Sequence, residues 1–225
     1  MGTVAEVVEP SEADDAMTRR RAAAVAGHRR DRAQARAYLH DDEPEVRASA
    51  LRALERASDL DAPLLAAALE DPAPGVRVTA LELAASRPDV PVDAAAARLD
   101  DPDQRVVEAA AWTCGEKVSA AAGPADPAPV VAALIRVARS HPDPLCRESA
   151  IAALGAIAHP DGLPAVLAGL DDKPEVRRRA VIALAPFDGP EVEAALARAG
   201  NDRDKQVRAA AAELRGPQTG ATGAG

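Results

Sequence analysis

One short phrase recurs six times in this chain: an Asp or His, five residues, an Arg or its replacement, then small and apolar residues at helical spacing. It reads Asp41 to Arg47 in DDEPEVRASALRAL, Asp71 to Arg77 in DPAPGVRVTALELA and His141 to Arg147 in HPDPLCRESAIAAL. It returns as Asp171 to Arg177 in DDKPEVRRRAVIAL and Asp202 to Arg208 in DRDKQVRAAAAEL. The third copy, DDPDQRVVEAAAWTC, keeps Asp101 but carries Val107 in the arginine position. Counted from Arg47, the equivalent positions are 77, 107, 147, 177 and 208, a period of 30 with one step of 40 and one of 31. A period of this size marks units that cannot bury their own apolar faces and must stack on their neighbours. The expected fold is all-α, a right-handed α-solenoid of about six helical-hairpin repeats.

Each repeat reads as two antiparallel helices. In the second helix of repeat one, Val46, Ala50 and Leu54 fall at i, i+4 and i+8 with Leu51 beside them, a core-facing stripe. The same slots hold Val76, Ala80 and Leu81, then Val106, Ala110 and Cys114, then Cys146, Ala150 and Ile151. Cys114 and Cys146 therefore read as small core hydrophobes. First helices are expected over roughly 62–70, 92–99, 128–140, 163–170 and 190–199. Asp-Pro or Lys-Pro pairs beginning at 71, 101, 143 and 173 set the turns, because proline is accepted at a helix start but ends the helix before it. Aromatic residues make up 1% of the chain, so the core must be aliphatic, rich in alanine and closely spaced.

The flanks differ from the array at 41–215. Residues 1–16 hold five acids and no base and are expected as a disordered acidic tail, with Met17 an alternative start. From 17 to 40 seven arginines face a single acid, Asp31, which predicts a basic helical cap interrupted or bent near Gly27. The long step of 40 falls in KVSAAAGPADPAPVV, read as an insertion loop at 118–129. Residues 216–225 lack an apolar pattern and read as a second disordered tail.

These repeats resemble HEAT repeats, in particular the short PBS-lyase HEAT-like type, over about residues 29–215. In that family the Asp and Arg form a ladder linking neighbouring repeats, and the second helices line the concave side. The resemblance implies that Asp41, Arg47, Asp71, Arg77, Asp171, Arg177, Asp202 and Arg208 are structural ladder residues, with a break near Val107 and His141. It also implies a choice of functions: scaffolds, transport and assembly factors, and lyase subunits that attach bilin pigments, so fold alone does not select one.

The residues argue for a non-catalytic scaffold or adaptor. His28, His40, His141 and His159 are scattered, without metal-ligand spacing, and no His-Glu dipeptide of the kind used by iron-binding relatives occurs. No phosphate loop or nucleophile elbow is present. No cofactor or metal is expected. The formal net charge of −9 argues against general affinity for nucleic acid or anionic lipid, and 24 Arg against 3 Lys reads as the coding bias of a high-GC genome. Two cysteines, no secretion signal and no long apolar run place the chain in a soluble, cytoplasmic setting without a membrane span. The alternatives are a phycobilin-lyase-like subunit and nucleic-acid binding through the basic helix at 19–36.

A partner surface can be read by register. The slot of Arg52 recurs as Glu82, Trp112, Ala152, Ile182 and Glu213, expected to point out of the core into the groove. Trp112 is the only tryptophan, and a large amphipathic ring on an exposed face is a typical anchor. Equally, it could fold over the insertion loop. Ile182, Glu108, Glu148, Arg178 and Arg179 complete the candidate surface for an unidentified protein partner.

Overall fold

The computed structural model describes residues 12–120 and 126–215. Among them are helices and turns and no strand. The expected tail at 1–16 lies outside the described residues up to residue 11, as do the heart of the expected insertion loop, 121–125, and the tail 216–225. The chain divides into two compact units, Met1–Leu83 and Ala84–Gly225.

The first unit holds α1 (Glu12–Arg29), α2 (Arg32–Ala37), α3 (Pro44–Arg56) and α4 (Ala62–Leu69), and ends in α5 (Pro74–Ala84), whose last residue opens the second unit. The second unit holds α6 (Val92–Ala96), α7 (Gln104–Ala120), α8 (Ala128–Ser140), α9 (Pro144–Ile157), α10 (Leu163–Ala168), α11 (Pro174–Ala183), α12 (Pro190–Ala199) and α13 (Lys205–Arg215). The first helices of the hairpins fall where the apolar runs predict them. Prolines 44, 144 and 174 occupy first-turn positions, where their missing N–H removes no bond. Within the second unit α7, α9, α11 and α13 pack in sequence, each second helix on the next. Their stripes, including Val106, Ala110, Cys114, Ile151, Val181 and Ala211, are buried.

The N-terminal segment departs from the expected cap in three ways. Helix α1 begins at Glu12, so residues 12–16 are helical and not part of a tail. The interruption falls not at Gly27 but three residues on: the helix runs to Arg29 and ends on Arg30, whose φ is +55°. There the Asp31 amide reaches back to the Ala26 carbonyl at 2.9 Å, closing the helix by a left-handed residue, and Asp31 accepts from the Gln34 amide to start α2. Ser58 after α3 and Ala158 after α9 take the same left-handed conformation, each eleven residues past its ladder arginine. Counted that way, the arginine of α1 is Arg19. Helix α1 is therefore the second helix of a further repeat, its four arginines notwithstanding.

Close contact supports that register. A Cβ built on Gly27 would lie 2.7 Å from the Cα of Ala53 in α3, and one on Gly155 of α9 would lie 2.7 Å from the Cα of Ala183 in α11. Both glycines stand eight residues past the arginine, where second helices cross closest. The insertion also begins later than expected, because KVSA continues α7 for another turn. Lys117 Nζ donates to the carbonyls of Ala84 and Arg87 at 3.0 and 2.7 Å, and Ser119 Oγ to that of Ala156 at 2.9 Å. The chain from Ala128 is already helical in α8, so 118–120 and 128–129 are not loop.

Candidate interaction surface

The ladder fixes the stack on which the surface is displayed. Arg47, Arg147 and Arg177 turn Nη1 onto carbonyls of their own repeat and offer Nε and Nη2 to an aspartate of the next; Arg19 makes the same two-point grip but turns Nη1 onto Asp15 Oδ2. In the first unit Arg19 grips Asp41 at 2.8 and 3.1 Å, and Arg47 grips Asp71 at 2.8 and 2.7 Å. In the second, Arg147 grips Asp172 at 2.7 and 2.6 Å and Arg177 grips Asp202 at 2.9 and 2.8 Å. These are two-point, charge-assisted bonds that set both distance and angle. Hydrogen bonds from Arg19, Arg147 and Arg177 hold Asp41, Asp172 and Asp202 below the usual carboxylate range. For Asp71, burial pushes upward, but the Arg47 and Ala73 hydrogen bonds prevail and the net shift is down.

Two assignments change. The rung acid of the fifth repeat is Asp172, not Asp171: it follows the 3-10 turn Gly169–Asp171 as Asp41 follows the 3-10 turn Tyr38–His40, so here the acid stands one residue closer to the arginine of its own repeat. Asp171 instead meets Arg198 at the surface at 3.2 Å. Arg208 donates to the carbonyls of Asp202 and Arg203, and no carboxylate bonds it among the described residues.

The expected break near the middle has a specific form. Since arginine pairs with the acid of the following repeat, Val107 and His141 occupy the two halves of one rung. Both charges are replaced together, so neither is left buried alone. His141 still does the acid's second job, since its Nδ1 accepts from the Asp143 amide at 3.1 Å, as Asp41 Oδ1 does from Glu43 and Asp202 Oδ1 from Asp204.

The basic segment is partly spent in the same scheme. Arg19 is in the ladder and Arg36 bonds Asp59 at 2.6 Å, so these two do not belong to a free basic stripe. Cys114 and Cys146 are buried, and burial pushes both thiols up to about 12. Among the described residues no group of three or more His, Cys, Asp or Glu could hold a metal ion, and no helix is long and apolar enough to cross a membrane.

With the stripe buried, the second helices turn their opposite side outward. In the second unit Trp112 on α7 is 47% exposed and Ile182 on α11 is 43% exposed, in the same register with Ala152 of α9 between them. A trough of about 330 Å³ runs between α7 and α9, lined by Trp112, Glu116, Glu148, Ser149, Ala152 and Arg179 among others. It continues between α9 and α11 as a volume of about 450 Å³ toward Ile182 and Pro186, sharing Ala152, Ala156 and Arg179. Alanine and glycine make its floor, and that absence of side-chain bulk creates the depression. Arg179 Nε donates to Glu148 Oε1 at 3.2 Å in the trough. Arg178 shares the register of Glu108 and Glu148 but does not line it. Glu108, half-buried one turn before Trp112, has its carboxyl raised by burial and by the neighbouring Asp143, Glu148 and Asp103.

Arg52 and Glu82 lie in the first unit and bond each other at 3.0 Å, both exposed. The structure thus brings together Trp112, Glu148, Arg179 and Ile182, with Glu108 adjoining, and pairs Arg52 and Glu82 separately. Sequence reasoning passed over Ser149 and Glu116 as trough residues and Arg19 and Asp172 as ladder residues. The signal for Arg19 was present, eight residues before Gly27 and eleven before the helix end.

Residues 131–215 match the family profile of HEAT repeats, in line with the resemblance drawn from the phrase itself. No curated protein matches the chain significantly. Among solved structures, a designed armadillo repeat protein in complex with the peptide (KR)4 is similar at a TM-score of 0.57 and 18% identity, over 81% of this chain and 97% of that one. The Escherichia coli protein YibA is similar at a TM-score of 0.60 and 15% identity, over 92% of this chain and 75% of that one. An engineered protein gives 0.55 and 20%, over 80% and 93%. At these identities the likeness is one of fold.

Proposed function

We propose that this chain, built of HEAT repeats over residues 131–215, is a non-catalytic interaction module whose second unit receives a segment of a partner protein in the trough between Trp112 and Ile182. The observation that carries the reading is the pair of large apolar side chains left in solvent at one register, on either side of an alanine floor. Exposed apolar area of this kind, rimmed by charges, marks a contact site. A tryptophan contributes large area at low entropic cost, so it suits a central anchor. A structural neighbour, the designed armadillo repeat protein, holds a peptide, which is a precedent for such a segment on a helical-repeat fold.

Peptide display against the full chain, followed by titration of the selected binders into Trp112→Ala and Ile182→Glu, tests the proposal. Binders should lose at least about thirtyfold in affinity on Trp112→Ala, the equivalent of about 2 kcal/mol for an anchor. Selected binders that keep full affinity for both variants would refute it.

A further inference from the structure

On α7, Trp112 is flanked one turn before and one turn after by Glu108 and Glu116, so the three side chains stand in a row along one face. Across the trough, Glu148 is engaged by Arg179. Neither Glu108 nor Glu116 has a hydrogen bond or ion pair among the described residues, and Arg105, the nearest arginine along α7, is taken by Asp103 at 2.9 Å. Glu116 and Glu148 line the Trp112 end of the trough and Glu108 adjoins it one turn before Trp112, three carboxylates around the one guanidinium of Arg179.

We infer that this end of the trough is a receptor for a basic side chain, Lys or Arg, of the partner segment, seated on the Trp112 indole between the Glu108 and Glu116 carboxylates. The inference rests on the reading that the trough holds a protein segment, and it specifies which kind. A cation over an indole face is held by the ring's quadrupole, and flanking carboxylates add charge-assisted hydrogen bonds. Glu108 supplies the selectivity. Its burial, and after that the negative field of the neighbouring Asp143, Glu148 and Asp103, outweigh His141 and penalise its own charge until a cation arrives. A neutral apolar segment would fill the alanine floor and leave that field uncompensated; an acidic one would be repelled.

The test uses capped octapeptides of Ala, Ser and Leu that differ at one central position: Arg, Lys, norleucine or Glu. They are titrated into the full chain while the emission of Trp112, the single tryptophan, is followed. The Arg and Lys peptides should bind at least about tenfold more tightly than the norleucine peptide, and the Glu peptide more weakly still. Glu108→Gln should remove most of the preference for Arg and Lys while leaving norleucine binding unchanged, and should not lower the melting temperature, since it relieves repulsion. Trp112→Ala, which lacks the emission and is titrated by calorimetry alongside the native chain, should weaken all four peptides. Equal affinity for the Arg and norleucine peptides, or a preference that survives both Glu108→Gln and Glu116→Gln, would overturn the basic-side-chain receptor while leaving the trough a peptide site. If none of the four peptides, and no peptide selected by display, binds in a manner sensitive to Trp112→Ala, the underlying reading fails with it.

Discussion

At the scale of single residues the ladder shows how a charge can be placed inside a stack of alanines. Arg177 is 5% exposed and tolerates that burial because each of its three nitrogens has an acceptor: the Asp172 carbonyl on its own side, both Asp202 oxygens on the other. Removing one partner of such a pair strands the other, which costs roughly 3–5 kcal/mol, whereas removing both can be nearly neutral. The chain contains its own instance of the second case, with Val107 and His141 in the two halves of one rung. Arg177→Val should therefore destabilise the fold by about 3 kcal/mol in urea unfolding. The double variant Arg177→Val with Asp202→His should recover a large part of that loss, because the imidazole can still accept the amide two residues on. A double variant no more stable than Arg177→Val alone would show that the rung acts through something other than paired charge.

At the scale of helices, the closest crossings set how the repeats pile up. Gly155 lets α9 approach α11 until a Cβ there would meet both Cα and Cβ of Ala183 at 2.7 Å, so Gly155→Ala must push two helices apart. A loss of about 1–3 kcal/mol is expected for such overpacking. Gly75 of α5 has open space where a Cβ would go, and Gly75→Ala should instead stabilise by about 0.5–1 kcal/mol through helix propensity. Thermal melts of the two variants should move in opposite directions.

The hairpins were legible in the sequence because two periodicities agree: apolar residues every three or four positions, and an Asp and Pro at the turn before each of α3, α5, α7, α9 and α11. The bounds of α1 were not. Its arginines read as a surface charge run, and Gly27 reads as a break on propensity alone, although its missing side chain serves the crossing onto Ala53. Pairing was hidden for a different reason. Spacing within one phrase shows Asp and Arg six apart, but the bond runs to the next phrase, and where two aspartates stand side by side it is Asp172, one residue nearer the arginine of its own repeat than the phrase suggests, that takes the rung. For the candidate surface, the register of Trp112 and Ile182 could be read from the repeat, and the trough could not. It arises from what the floor lacks, and its lining depends on how far α7, α9 and α11 stand apart.

At the scale of the whole molecule the ionic inventory separates by role. Ladder arginines are consumed internally, and the formal net charge of −9 leaves a negative field that favours encounter with cationic partners, in a salt-dependent way. The stability of the stack and the chemistry of its surface are thus carried by different residues on the same helices. The most direct test of that division is acrylamide quenching of the tryptophan emission in the native chain, since Trp112 is its only source. With Trp112 47% exposed beside an alanine floor, the emission should be readily quenched in the native chain, more slowly than in the unfolded one. Quenching close to zero, the behaviour of a core indole, would contradict the account, because it would place Trp112 in the packing and leave the trough without its anchor.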